Sequence, residues 1–136
     1  MSVESEAKNV NEKFAFIKEI YSDSWALIIG INEYKYVQSL NYAADDAVDV
    51  KKILIEKYGF KESNVRLLLN IDATKDNILE GFNDILTQAK SKDRVLVFYA
   101  GHGDTYNLPS GGEMGFLIPT DGDPDNVYLS CIKMDE

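Results

Sequence analysis

The sequence predicts an α/β domain with a partly parallel sheet and helices on both faces, and three observations carry that expectation. Trp25 to Ile31, Val65 to Leu69 and Val95 to Ala100 are short apolar runs bounded by polar or glycine-bearing stretches, the pattern of buried strands. Between them lie two longer segments whose apolar residues recur at helical spacing. The order strand, helix, strand, helix, strand then calls for parallel strands joined by right-handed crossovers. At 136 residues, 45% of them apolar, the chain has the length of one domain and enough apolar volume for a core.

Taken in order, residues 1 to 23 read as a lead-in and a short flanking helix, with Phe14, Phe16, Ile17, Ile20 and Tyr21 as its apolar stripe. Residues 24 to 136 read as the domain proper. Trp25 to Ile31 is the first core strand and ends in the polar loop Asn32-Glu33-Tyr34. Leu40 to Tyr58 is the first helix, with Ala44, Ala47, Val48, Ile53, Leu54 and Tyr58 on one face, Asp45 and Asp46 in its opening turn and Gly59 just past its end. The two aspartates favour the positive helix terminus, which gives them a capping or dipole role without any function.

Val65 to Leu69 is the second strand, and Thr74 to Lys90 the second helix, with Thr74 as N-cap and Ile78, Phe82, Ile85, Leu86 and Ala89 facing the sheet. Val95 to Ala100, expected to be buried on both faces, runs straight into Gly101-His102-Gly103. Beyond it, Asn107 to Gly112 is turn chemistry, Met114 to Ile118 a short strand, Pro119 to Asn126 an acidic loop, and Tyr128 to Met134 a further strand or helix. An apolar strand at the edge of a sheet needs a partner or a cover, so a strand from outside residues 1 to 136 is expected beside Val95 to Ala100.

The formal charge of −9 argues against a nucleic-acid or anionic-membrane partner and favours a cationic one. One cysteine excludes an internal disulfide, and one cysteine with one histidine cannot supply a four-ligand zinc site. Met1 to Lys13 has no apolar core of signal-peptide length and no run reaches membrane-spanning length, which reads as a cytoplasmic protein.

Candidate chemistries narrow quickly. Gly30-Ile31-Asn32-Glu33 is neither a dinucleotide fingerprint nor a phosphate loop. Asp121 to Asn126 alternates aspartates like a calcium loop, yet Asn126 stands where that loop needs glycine and Ile132 where it needs glutamate, so it reads as a solvated turn. Cys131 has apolar neighbours and reads as a buried, inert thiol. His102 remains. If the first strand lies between the other two, a switch point opens between the ends of the first and third strands, and loop 32 to 42, Asp45, Asp46 and His102 converge there around a general base.

Several stretches together resemble a family. Ala-Leu-Ile-Ile-Gly-Ile-Asn-Glu-Tyr ending at Tyr34, Leu-Asn-Tyr-Ala-Ala-Asp-Asp-Ala from Leu40 to Ala47, Ala73-Thr74, Phe-Tyr-Ala-Gly-His-Gly from Phe98 to Gly103 and Gly-Phe-Leu-Ile-Pro-Thr-Asp from Gly115 to Asp121 resemble the large-subunit half of caspase-like cysteine peptidases, nearest the metacaspase and bacterial caspase-homologue branch. The resemblance covers about residues 24 to 134 and implies a three-layer caspase-like fold, incomplete in this chain. It implies that His102 is the catalytic histidine, that the Gly103 amide belongs to the oxyanion hole and that Asp46 lines a pocket for Arg or Lys of a protein or peptide substrate. Calcium enters only through the resemblance; no residue pattern requires a cofactor.

In that family the nucleophilic cysteine stands on the next core strand, in an Asp-x-Cys-x-Ser/Gly setting that residues 1 to 136 do not contain. Cys131, 29 residues beyond His102, lacks that setting and is not assigned the role. The expectation is a cysteine endopeptidase whose remaining half is a separate or cleaved chain, this chain alone being inactive. The alternatives are a catalytically inactive homologue serving as an interaction or regulatory module and, more remotely, a nucleotide or signal-ligand sensor on the same sheet.

Overall fold

The first strand is the axis of the domain in the computed structural model, which describes residues 22 to 134. This strand, β1 (Ser24–Gly30), is flanked by β2 (Val65–Leu69) on one side and β3 (Arg94–Ala100) on the other, both parallel to it. Its register sets Gly30 beside Leu69 and beside Ala100, so all three carboxyl ends reach one edge of the sheet. Leu27, Ile28 and Ile29 are fully enclosed. A central parallel strand covered on both faces needs this unbroken apolar run.

Two helices make those covers. Helix α1 (Ala43–Tyr58) packs Ala47 and Leu54 against Ala26, Ile28 and Val65, whereas α2 (Lys75–Gln88) packs Ile78 and Ile85 against Leu27, Ile29 and Leu68. Helix α1 begins three residues later than Leu40, and Val48, Ile53 and Tyr58 turn to solvent instead of the sheet. In α2 Thr74 is the N-cap, its hydroxyl accepting the Asn77 amide at 3.1 Å, but Leu86 is exposed. Gly59 ends α1 in the left-handed conformation at φ 70°.

Strand β3 departs from its expected burial. Helix α1 packs on all three strands, whereas α2 lies over β1 and β2. Val95 and Val97 on the α2 side are therefore 39% and 44% exposed, and on that face only the Tyr99 end of the strand is covered. Its second edge pairs with no strand among the described residues.

A second, antiparallel sheet follows at once: β4 (Gly103–Asn107), β5 (Glu113–Leu117) and β6 (Ile132–Lys133), in that order. Gly111 and Gly112, both at positive φ, turn the chain from β4 to β5. Phe116, Ile118, Val127 and Cys131 form its small core, with the helical turn α3 (Val127–Ser130) leading into β6. The flanking helix expected at residues 14 to 21 lies outside the described residues, among which no helix is long and apolar enough to cross a membrane.

Candidate functional site

The order β2-β1-β3 puts the chain reversal between the carboxyl ends of β1 and β3, and both ends lead into loops that meet. Ile31 N–H donates to the Ala100 carbonyl at 3.0 Å, after which the first loop crosses toward α1 and the second enters His102.

Loop 31 to 42 is held from every side. Asn70, in the left-handed conformation at φ 48°, accepts the Asn32 amide at 2.8 Å and the Glu33 amide at 3.3 Å through its side-chain oxygen. Thr120 donates its hydroxyl to the Glu33 carbonyl at 2.7 Å and accepts the Lys35 amide on its own carbonyl at 2.9 Å. Asn32 in turn accepts the Ala44 amide at 3.1 Å, so the loop itself caps α1 and neither Asp45 nor Asp46 does.

His102 sits half-buried where this loop touches the end of β3. Its Nε2 lies 2.8 Å from the Gln38 carbonyl oxygen. A carbonyl can only accept, so Nε2 carries the proton and Nδ1 is the nitrogen with a free lone pair. The Tyr34 ring stands edge-on to the imidazole, centroids 4.9 Å apart, and the Tyr34 hydroxyl accepts the His102 amide at 2.7 Å. On the other side the Tyr99 hydroxyl reaches the carbonyls of His102 at 2.7 Å and Ile118 at 2.8 Å. Burial raises the ionisation of both phenols above the ordinary range, most strongly for Tyr99, so both remain neutral donors.

Gly103 opens β4 opposite Leu117. Ile118 N–H donates to the His102 carbonyl at 3.0 Å, which makes residues 102 and 118 the hydrogen-bonding pair of the ladder. Antiparallel pairs alternate, so Gly103 and Leu117 form the non-bonded pair and the Gly103 N–H points away from β5.

Asp46 is exposed in the first turn of α1, at the same end of the sheet as His102. Its carboxylate makes no hydrogen bond or ion pair among the described residues. The loop and His102 thus converge as the topology required, while Asp45 and Asp46 stay at the helix rim. The Gln38 carbonyl and the Tyr34 and Tyr99 hydroxyls complete the site; nothing in the residue pattern marks the first, and the others stand out only as tyrosines.

The remaining candidates are otherwise occupied. Cys131 is 2% exposed, its thiol raised in pKa by burial and in contact with Ser130 Oγ at 3.7 Å. Asp121 accepts the Lys75 amide at the start of α2, and Asp123 accepts the Asp125 amide and the Asn126 side chain. Among the described residues no group of three or more His, Cys, Asp or Glu could hold a metal ion.

Comparison with known proteins agrees with this architecture. The caspase domain model matches residues 23–136. Metacaspase-6 of Arabidopsis thaliana is 34% identical over 112 residues, covering 79% of this chain and 28% of that protein. Metacaspase-1A of Neurospora crassa is 30% identical over 113 residues, covering 79% of this chain and 22% of that protein. The chain thus spans roughly a quarter of the length of these relatives. In fold it is similar to a crystal structure of a Geobacter sulfurreducens protein, with a TM-score of 0.64 at 24% identity over 79% of this chain and 44% of that one. Because the caspase-domain match runs through both sheets and takes in the histidine at the end of β3, the chain belongs to the caspase-domain family, with metacaspases among its relatives.

Proposed function

We propose that the complete protein is a cysteine-type endopeptidase that cleaves after Arg or Lys, with His102 as general base and a nucleophilic cysteine from outside residues 1 to 136. The observation that carries this reading is the hydrogen bond from His102 Nε2–H to the Gln38 carbonyl, which leaves Nδ1 as a proton acceptor at the carboxyl end of the sheet. Nδ1 takes the thiol proton as sulfur bonds to the scissile carbonyl carbon, and returns it to the amine as the C–N bond breaks. The Gly103 amide, turned away from β5, donates to the oxyanion that forms in between.

Asp46 receives the basic side chain of the substrate. Its support is an exposed carboxylate at the site's end of the sheet, unengaged in capping because Asn32 performs it. The companion half of the domain, in a separate or cleaved chain, would lie beside β3. No step runs through calcium, since the described residues assemble no carboxylate cage for it. The reading needs neither nucleic acid nor membrane and is that of a cytoplasmic enzyme.

The test is turnover of fluorogenic peptides by the complete protein. Peptides with Arg or Lys before the scissile bond are cut and those with Asp are not; His102→Ala abolishes the activity and Cys131→Ala leaves it unchanged. Asp46→Asn lowers kcat/KM for the basic peptide about ten- to a hundredfold, roughly 1.4 to 2.7 kcal/mol of transition-state stabilisation. Efficient cleavage after Asp would return Asp46 to the helix rim. Loss of turnover in a folded Cys131→Ala protein would give the thiol a role denied here. A folded complete protein that cuts nothing would leave the family's interaction-module reading in possession.

A further inference from the structure

We propose that Tyr34 is a positioning residue for His102, fixing the height, plane and tautomer of the imidazole through a hydrogen bond to the His102 amide, an edge-on ring contact and the loop that carries the Gln38 carbonyl. The inference rests on His102 being the base, and it assigns what keeps that base in register.

Two tyrosine hydroxyls grip the His102 backbone from opposite ends. The His102 amide donates to Tyr34 Oη at 2.7 Å, and Tyr99 Oη lies within 2.8 Å of two carbonyl oxygens, those of His102 and Ile118. Carbonyls only accept, so the single Tyr99 proton goes to them. Tyr34 thus holds the amide of His102 and Tyr99 its carbonyl, so both ends of that residue's backbone are fixed by phenol hydroxyls.

Gly101 is the clearance for these two hydroxyls. A Cβ there would collide with the Tyr34 hydroxyl and stand 2.9 Å from the Tyr99 hydroxyl, while the residue has no positive φ to explain its identity. The first glycine of Gly-His-Gly thus admits the phenols, and sharp chain turning is not its purpose.

Tyr34 also acts through its ring and its loop. The ring abuts the imidazole edge-on at 61°, limiting rotation about χ2, and four residues later the same loop presents the Gln38 carbonyl to Nε2. Backbone, ring plane and protonated nitrogen are all referred to one segment. A residue held at this many points keeps its base within the few tenths of an ångström that proton transfer requires.

The protein contains one histidine, so its ring nitrogens can be read without assignment ambiguity. Nitrogen-15 NMR of residues 1 to 136 with the imidazole neutral should show Nε2 protonated and Nδ1 bare. Tyr34→Phe, which keeps the ring and removes the acceptor, should give a mixture of tautomers; Tyr34→Leu, which removes both, should approach the ratio of free imidazole. In the complete active protein Tyr34→Phe should lower kcat about tenfold with KM within twofold. An Nδ1–H tautomer in the unaltered chain overturns the proposal even if no variant folds, and so does a folded Tyr34→Phe protein with unchanged tautomer and kcat. The NMR arm requires no turnover, so an inactive complete protein would sink the peptidase reading and leave the tautomer result standing.

Discussion

Asp93 shows how one carboxylate can tie two strands at the end opposite the site. Its Oδ2 accepts the Lys90 amide at 2.9 Å and the Trp25 indole N–H at 3.0 Å, joining the turn before β3 to the start of β1. The Lys90 amide, and after it the indole, hold the carboxyl below its ordinary value of 3.8. In the unfolded chain that value returns, so the stabilisation is present above it and is lost as pH falls through it toward the lower folded-state value. Asp93→Asn should therefore lower Tm at pH 7, and the gap from the unaltered chain should narrow as pH falls below 3.8. Trp25 is the only tryptophan, so its fluorescence follows both unfolding and the contact itself. At this scale His102 was legible because an apolar run ends on a lone glycine-flanked histidine. Gln38 was not, because it contributes a main-chain carbonyl that any residue supplies. Tyr34 and Tyr99 looked like strand and loop aromatics, and only the tertiary pairing of loop 31 to 42 with β3 turns their hydroxyls into ligands of one peptide unit.

Among the elements, α1 departs most from its amphipathic pattern. Its seat on the sheet is made by small residues: a Cβ on Gly30 would stand 2.7 Å from the Ala43 carbonyl oxygen and 3.0 Å from Ala44 Cα, so helix backbone and strand are in near contact. A helix this close buries Ala43, Ala44 and Ala47 and leaves larger flanking residues such as Val48 and Ile53 outside, which periodicity alone could not foresee. Its cap also comes from outside its own first turn, from Asn32 in the preceding loop. Asn32→Ala should cost about 1 kcal/mol for the cap and shift the exchange of the Ala44 amide toward solvent rates, without altering the Thr74 cap of α2. Equal loss of protection at both helix starts would mean general loosening and not a lost cap. Thr74 was readable because its cap is local; β4 was not, because Gly103-Asp104-Thr105-Tyr106-Asn107 is a solvated ladder strand with Tyr106 as its one apolar contact and no hydrophobic run.

At the scale of the molecule, the parallel sheet was legible because each crossover carries its own helix, whereas the order β2-β1-β3, which entered only as a condition, the second sheet and the partly bare β3 depend on which neighbours are present. The Arg94 amide donates to Asp23 and the Ala100 carbonyl accepts from Ile31, so even-numbered residues of β3 face β1 and the amides of Val95, Val97 and Tyr99 face the open edge. In residues 1 to 136 alone those three amides should exchange faster than Leu96 and Phe98, and in the complete protein they should slow by at least tenfold. Uniform protection along β3 in the isolated chain would show that the edge is covered from within it.

That edge also sets a kinetic order. The proposed companion strand, on the same or a docked polypeptide, would meet β3 at an effective concentration on the order of millimolar, whereas a second copy at micromolar concentration would arrive about a thousandfold less often. Pairing with kin is first order and pairing between copies second order, so halving the concentration halves the first rate and quarters the second. Dilution is then the condition that favours correct closure of the sheet, and crowding on a polysome the one that favours two β3 edges, with Val95 and Val97 bare on each, finding one another instead.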